Sequence, residues 1–256
     1  MVPADQRGRA LAIVLAGLSV GTALGVPVGL LVENHYGWRW TIALVVLLGV
    51  VAAGGAGLGA DRFPVVPVVA WRNRLTALRV PFTRATLGVT LWTGIASLGL
   101  YTYLAEVAAA RGMTTSTHVF IWLWGLGGMI GAMLIGRVID QHLSPARATL
   151  VLLILLCVGF VLVSVGSVLA VAFGCFLWGL AGWASMAPQQ HALVSHDSAH
   201  ATAAIAWNSS ANYLGSAIGA ATGSAFLAIH LQAQWLPLCT LIAAVAAIVT
   251  HLAKPC

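Results

Sequence analysis

The chain has 256 residues, of which 60% are hydrophobic and 7% charged, and its formal net charge is +6. Soluble domains carry about 25% charged residues, so this composition excludes an ordinary soluble domain and indicates a membrane protein. The positive charge does not indicate binding to nucleic acid, because the basic residues lie between apolar segments and not on one polar face.

Eight apolar segments are long enough to cross a bilayer as helices. In chain order they are 9–32, 38–60, 85–107, 117–139, 148–166, 168–194, 201–229 and 235–253. Only SVGSV separates the fifth segment from the sixth, so these two are expected to form a tight helical hairpin. The sequence therefore predicts an all-α polytopic membrane protein with about eight transmembrane helices.

The first segment has a glycine at every fourth position and a proline, which is a costly composition for a helix in water. These residues are Gly17, Gly21, Gly25, Pro27 and Gly29. Small residues at this spacing share one face and let two membrane helices pack closely, and a proline bends the helix by removing a backbone hydrogen bond. Close packing alone would explain the pattern; a role in transport is the alternative developed below.

The longest connection, 61–84, carries five arginines and three prolines. This composition predicts a basic cytoplasmic linker near anionic lipid headgroups. It divides the chain into residues 1–60, with two spans, and residues 85–256, with six.

The distribution of Lys and Arg predicts the orientation. If the amino terminus is cytoplasmic and the connections alternate, ten of the twelve basic residues lie on the cytoplasmic side, and only Arg39 and Arg111 lie outside. This agrees with the positive-inside rule and predicts that both termini are cytoplasmic.

Five stretches form an ordered set of motifs. They are PADQRGRALAIVLAGLSVGTALGVPVGLLVENHYGWRWT (3–41), YTYLAEV (101–107), GLGGMIGAMLIGRVIDQHLSPAR (125–147), WGLAGWASMAPQQHALV (178–194) and WNSSANYLGSAIGAATG (207–223). In this order they resemble helices five, seven, eight, ten and eleven of twelve-helix efflux proteins of the Major Facilitator Superfamily. The likeness is closest to the drug and sugar proton-antiporter group that includes arabinose-type efflux permeases.

The resemblance implies that the eight spans are helices five to twelve of that fold and that helices one to four are absent. It also implies that residues 1–60 are a remnant of the amino-terminal half, that 85–256 are the carboxy-terminal half, and that the protein lies in the bacterial inner membrane. The glycine-rich first segment would be the family's antiporter motif, a bent helix that seals one state.

The resemblance further implies a cytoplasmic gate at the end of the fourth span. Its residues would be Gly136, Arg137, Asp140 and Arg147. Charges at this position can pair across helices in one conformation and separate in another. A solvated, positive-inside turn is the alternative interpretation.

Polar side chains inside spans are costly unless they have a partner or face water. In the resembling fold, helices seven, ten and eleven face the central cavity, which implies solute contacts for some of their polar and aromatic residues. The candidates are Trp92, Tyr101, Trp178, Gln189, Gln190, Asn208 and Asn212. For each of them the alternative is a hydrogen bond between helices or an anchor at the membrane interface.

The implied function is efflux of a small organic solute, drug-like or sugar-like, by proton antiport, with no cofactor. None of the six acidic residues lies in the middle of a span, and the family's coupling carboxylate often lies in the first or fourth helix. Function could therefore need a homo-oligomer or the missing helices. The alternative is a non-transporting membrane fragment or a packing partner of another permease.

An enzyme is not predicted, because the spans bring no nucleophile, base and carboxylate to one depth. His196, Asp197 and His200 have a spacing that could suit a metal, but they fall in a cytoplasmic loop of the resembling family, and no metal site is predicted.

Overall fold

The structure is a computed structural model that describes residues 21, 25, 28, 29, 31–33, 35–58 and 75–254. These residues are almost entirely helical and contain no strand, which confirms the prediction of an all-α polytopic membrane protein. The chain forms two compact units, 1–69 and 70–256. The predicted linker, 61–84, is described only from residue 75 onward, and the predicted domain boundaries stay a prediction.

The first unit contains helix α1, Trp38–Leu58. Gly37 precedes it with φ +87°, and the Gly37 N–H donates to the Glu33 carbonyl at 2.8 Å. This left-handed conformation ends the preceding helical residues, and glycine adopts it without strain. The Thr41 hydroxyl then donates to the Gly29 carbonyl at 3.0 Å, which links the two sides of the turn. Most of the predicted first span, including Gly17 and Pro27, lies outside the described residues.

The second unit contains eight described helices. They are α2 (Pro81–Tyr101), α3 (Leu104–Ala110), α4 (Thr117–Gln141), α5 (Pro145–Val165), α6 (Val168–Ala184), α7 (Met186–His196), α8 (Ala201–Ala228) and α9 (Leu236–Leu252). The most extensive helix contacts run in the order α8, α2, α9, α5, α6 and α4. The short helix α7 continues from α6 and touches α2, α4, α5 and α8.

Five helical segments of the described residues are long and apolar enough to cross a membrane. They are Trp38–Leu58, Thr114–Gln141, Pro145–Val165, Val168–His196 and Ala233–Leu252. A sixth is added if α2 and α3, which are bent by 54° at their break, form one span. The seventh predicted span corresponds to α8, which has 28 residues and is made less apolar by its Asn, Ser, Thr and Gly residues.

The tight hairpin between the fifth and sixth predicted spans is present. Helix α5 ends at Val165, Gly166 has φ +86°, and α6 begins at Val168. The Ser167 hydroxyl caps α6 by accepting from the Ala170 N–H at 3.2 Å.

Arg111 joins three connections at this end of the second unit. Its guanidinium donates to the Ser164 carbonyl at 3.1 Å, at the end of α5, and to the Gln234 carbonyl at 2.9 Å, between α8 and α9. Partial burial lowers the pKa of Arg111 from its ordinary value. The contact ties the α3–α4 connection to the α5–α6 hairpin and to the start of α9.

Glycines make the closest contacts between α2 and α8. A Cβ atom at Gly219 would lie 2.4 Å from the Ile95 carbonyl oxygen and 2.8 Å from the Gly99 Cα. A Cβ at Gly215 would lie 2.4 Å from the Leu91 carbonyl oxygen. The two backbones therefore touch directly, as small residues allow in membrane helices.

The same kind of contact joins α6 to its two neighbours. A Cβ at Gly179 of α6 would lie 1.9 Å from the Trp124 carbonyl oxygen of α4, and a Cβ at Gly131 of α4 would lie 2.4 Å from the Leu180 carbonyl oxygen. Towards α5, a Cβ at Gly159 would lie 3.0 Å from the Gly174 carbonyl oxygen. The close packing of three helix pairs, α2 with α8, α4 with α6 and α5 with α6, thus depends on glycines, which have no side chain.

Aromatic rings fill the space between these helices. Trp178 is fully buried and meets Phe160 edge-on at 5.5 Å and Trp124 edge-on at 6.1 Å between ring centroids. The Tyr101 ring stacks on Trp124 at 4.1 Å. This cluster connects α2, α4, α5 and α6 and forms the core on which the site below is built.

We expect Gly219→Ala to destabilise the protein by about 1–3 kcal/mol, because the added methyl must push α2 and α8 apart. Gly136→Ala is the matched control: Gly136 lies in α4 with no described atom within 4 Å of its Cβ position, and alanine there gains up to about 1 kcal/mol of helix propensity. Thermal unfolding in detergent measures both. Equal melting temperatures for the two variants would contradict the backbone contact.

Candidate functional site

Three buried polar side chains from α2, α7 and α8 form one hydrogen-bonded network. The Asn208 side-chain amide donates to the Thr90 hydroxyl at 2.5 Å, and that hydroxyl donates to the side-chain oxygen of Gln189. The Gln189 amide in turn donates to the Ser185 carbonyl at 2.9 Å. Thr90, Gln189 and Asn208 are at most 2% exposed, so the network is shielded from solvent and from lipid.

One hydrogen-bond acceptor of this network has no partner among the described residues. The Asn208 side-chain oxygen is buried and has no hydrogen-bond partner among the described residues. Buried acceptors are nearly always paired, and an unpaired one costs about 1–3 kcal/mol. A donor group that reached this oxygen would recover that free energy, so the network offers a favourable place for a polar contact.

A stripe of hydroxyl side chains on α2 leads to the network. Its members are all buried and are Thr83, Thr86, Thr90, Thr93 and Ser97. Their spacing of three and four residues places them on one helix face. At the far end of the stripe, Trp178 of α6 donates from its indole nitrogen to the Ser97 hydroxyl at 2.8 Å.

Thr90 is the centre of the network but is not among the residues that the sequence predicted to contact a solute. The signal that could have identified it is the regular spacing of the α2 hydroxyls, which predicts a polar face directed at another helix. Threonine is easily overlooked in a membrane helix because its hydroxyl can bond to the carbonyl four residues earlier. Thr86 and Thr93 do this, at 2.9 Å and 2.8 Å.

The predicted solute-contact residues fall into two groups. Trp178, Gln189 and Asn208 are buried and bonded to neighbouring helices. The partly or fully exposed group contains Trp92, Tyr101, Gln190 and Asn212, with Trp92 at 37% exposure. Solute contact stays a prediction for both groups.

The glycines predicted to form an antiporter motif have few described neighbours. No described atom lies within 4 Å of a Cβ position at Gly21 or Gly25, and at Gly29 the nearest is a Thr41 methyl at 3.3 Å. Gly17 and Pro27 lie outside the described residues. The role of this helix in antiport stays a prediction.

The four predicted gate residues are exposed where α4 ends and α5 begins. Within the described part of the chain, the side chains of Arg137, Asp140 and Arg147 form no ion pair. Gly136 has open space at its Cβ position. Gating stays a prediction for all four.

A second cluster surrounds Phe82 near the start of α2. The His196 ring stacks on the Phe82 ring at 4.0 Å between centroids, and the Lys254 ammonium lies 3.8 Å from the centroid of the Phe82 ring. Burial lowers the pKa of Lys254 from 10.5 to about 8. These contacts tie the end of α7 and the residues after α9 to α2.

The His-Asp-His segment makes contacts within the protein. Asp197 pairs with the His200 ring at 2.8 Å, and this hydrogen bond lowers the pKa of the Asp197 carboxyl. His196 is stacked on Phe82 and does not join that pair.

Comparison with known proteins relates the chain to a protein family. The sequence model of the Major Facilitator Superfamily matches residues 1–220, which include Thr90, Gln189 and Asn208. A relative, the chloramphenicol resistance protein of Streptomyces lividans, is 32% identical over an alignment 171 residues long, which covers 62% of this chain and 42% of the relative. The chain thus spans less than half the length of the relative it matches.

We expect Thr90→Val to lower stability by about 2 kcal/mol, because the isosteric change leaves a buried oxygen of Gln189 and a buried N–H of Asn208 without their partner. Thr93→Val is the control, since the Thr93 hydroxyl bonds only to the Val89 carbonyl of its own helix. Melting temperatures in detergent should fall for the first variant and change little for the second. A similar small shift for both would contradict the network.

The Lys254 environment predicts a pH dependence. Its pKa is lower in the folded state, about 8 against an ordinary 10.5, so between these values the unfolded chain binds more protons and stability rises with pH. The melting temperature of the wild type minus that of Lys254→Met should therefore increase from about pH 8 to about pH 10.5. A constant or decreasing difference would contradict the burial of the ammonium.

Proposed function

Because the chain belongs to the Major Facilitator Superfamily, we propose that it exports a small organic solute across the bacterial inner membrane, with both termini in the cytoplasm. The relative's name concerns resistance to chloramphenicol, which makes that compound the first solute to test. The excess of basic residues on one side of the predicted spans supports the orientation.

The buried network of Thr90, Gln189 and Asn208 is the observation that carries the proposal. It holds three helices together at a point where polar groups are otherwise costly. Aromatic and amide side chains of the partly exposed group lie on the same three helices or on their ends. Rings beside a few placed polar groups are typical of pockets for moderately apolar organic molecules.

We assign different roles to the two adjacent glutamines of α7. The Gln189 amide is used inside the protein, on both its oxygen and its nitrogen. Gln190 is half-exposed, and no described residue bonds to its side chain, so its amide is free to bond to a solute. In this proposal the buried network positions α7, and Gln190 and Asn212 contact the solute.

Proton antiport is the finer part of the proposal. It requires a group that titrates during transport. Among the described acidic residues, Glu33, Glu106 and Asp140 are exposed, and Asp197 is paired with His200. Glu33 and Glu106 are the candidates because the predicted orientation places both near the outer surface, whereas Asp140 belongs to the predicted cytoplasmic gate.

The test measures chloramphenicol accumulation in cells with and without the protein. Cells that make the protein should accumulate less, and the difference should disappear when the proton gradient is collapsed. Gln190→Leu should reduce export several-fold at unchanged melting temperature, because one solute hydrogen bond contributes about 1 kcal/mol. Gln232→Leu, in the exposed α8–α9 connection, is the matched control and should retain export.

Two outcomes would contradict the proposal. Equal accumulation with and without the protein, repeated over a panel of apolar antibiotics, would exclude efflux and favour a packing partner of another permease. Export that is equally reduced by Gln190→Leu and Gln232→Leu would exclude the assigned contact while leaving efflux intact.

A further inference from the structure

A cavity of about 60 Å³ lies between α2, α8 and α9, away from the polar network. Glycines create part of its space: Gly99, Gly219 and Gly223 all line it. At Gly223 a Cβ would lie 2.3 Å from the Tyr103 ring, so the ring occupies the place of the missing side chain. The cavity therefore follows from the same close crossing that joins α2 to α8.

The polar groups of the lining are already bonded within the protein. The Thr222 hydroxyl donates to the Ile218 carbonyl and the Thr240 hydroxyl to the Pro237 carbonyl, each at 2.8 Å. The Tyr103 hydroxyl donates to the Ala220 carbonyl at 2.5 Å. No hydroxyl proton of the lining remains for a ligand, so the cavity suits an apolar occupant, as dry cavities do.

The cavity borders an apolar surface of membrane-spanning helices. Thr222 is exposed and shares a face of α8 with Ile218, which is 40% exposed. On α9, Cys239 lines the cavity beside Leu238 and one turn before Ile242, which is 76% exposed. Because α9 belongs to a segment apolar enough to span the membrane, its exposed apolar side chains suit contact with the acyl chains of lipids.

The size of the cavity restricts its occupant. A cavity of about 150 Å³ lined by apolar side chains holds one benzene molecule, and this cavity is less than half as large. It accommodates a short run of methylene groups and excludes a ring. Association in a bilayer gains little from the hydrophobic effect, so the favourable term is the dispersion contact made when a void is filled.

We propose that this cavity binds a segment of the acyl chain of a membrane phospholipid, inserted between α8 and α9. Three lining residues contact the acyl chain: Tyr103 just after α2, Phe226 of α8 and Cys239 of α9. The site is distinct from the solute site and does not depend on the proposed efflux function.

The test uses vesicles that contain a phospholipid with a photoactivatable diazirine on its acyl chain. After irradiation, mass spectrometry of the digested protein should find adducts on Tyr103, Phe226 or Cys239. Cys239→Leu fills the cavity with aliphatic carbons and should reduce adducts on Tyr103 and Phe226 about tenfold, which corresponds to about 1.4 kcal/mol of lost packing.

Ile242→Phe is the matched control, because Ile242 lies on the same helix but does not line the cavity. It should leave the adducts on Tyr103 and Phe226 unchanged. If Cys239→Leu does not fold, Thr240→Leu fills the cavity from the next position and is read in the same way. Adducts confined to exposed residues such as Ile242, or unchanged when the cavity is filled, would overturn the proposal and indicate surface lipid only.

Discussion

Where α2 crosses α8, Gly94 and Gly99 face Gly215 and Gly219, and no side chain separates the two backbones. Lipid is as apolar as the helix surfaces, so burial of apolar area does not hold membrane helices together; close packing and hydrogen bonds between helices do. The other features of the second unit depend on this approach. The short threonine hydroxyl at position 90 reaches Asn208 because the backbones are so near.

The two proposed sites result from the same packing. The polar network closes where α7 meets the α2–α8 pair, and it uses hydroxyl and amide groups that could not remain unpaired in hydrocarbon. The apolar cavity lies further along the same pair, where α9 packs beside glycines and leaves a gap. Membership of the Major Facilitator Superfamily makes the first site the natural candidate for solute, and the closed hydrogen bonds of the second favour an apolar occupant.

The sequence predicts the helical fold well, because the length and apolarity of the spans follow directly from the bilayer. It does not predict which glycines touch another helix. The regular series that includes Gly21 and Gly25 is the more conspicuous one, yet the close contacts of the described residues involve Gly94, Gly99, Gly215 and Gly219. Spacing shows that residues share a face but not which helix lies against it. Gln189 and Gln190 illustrate the same limit, since one residue of rotation separates a buried amide from a half-exposed one.

A double-mutant cycle between Gly215→Ala and Thr90→Val tests the dependence of the network on the glycine contact most directly. A methyl group at position 215 would meet the Leu91 carbonyl, next to Thr90, and should separate the helices enough to break the network. The loss caused by Thr90→Val should then be largely absent in the Gly215→Ala background, with a coupling of about 1–2 kcal/mol. Additive losses within about 0.3 kcal/mol would show that the two features are independent and would contradict this account.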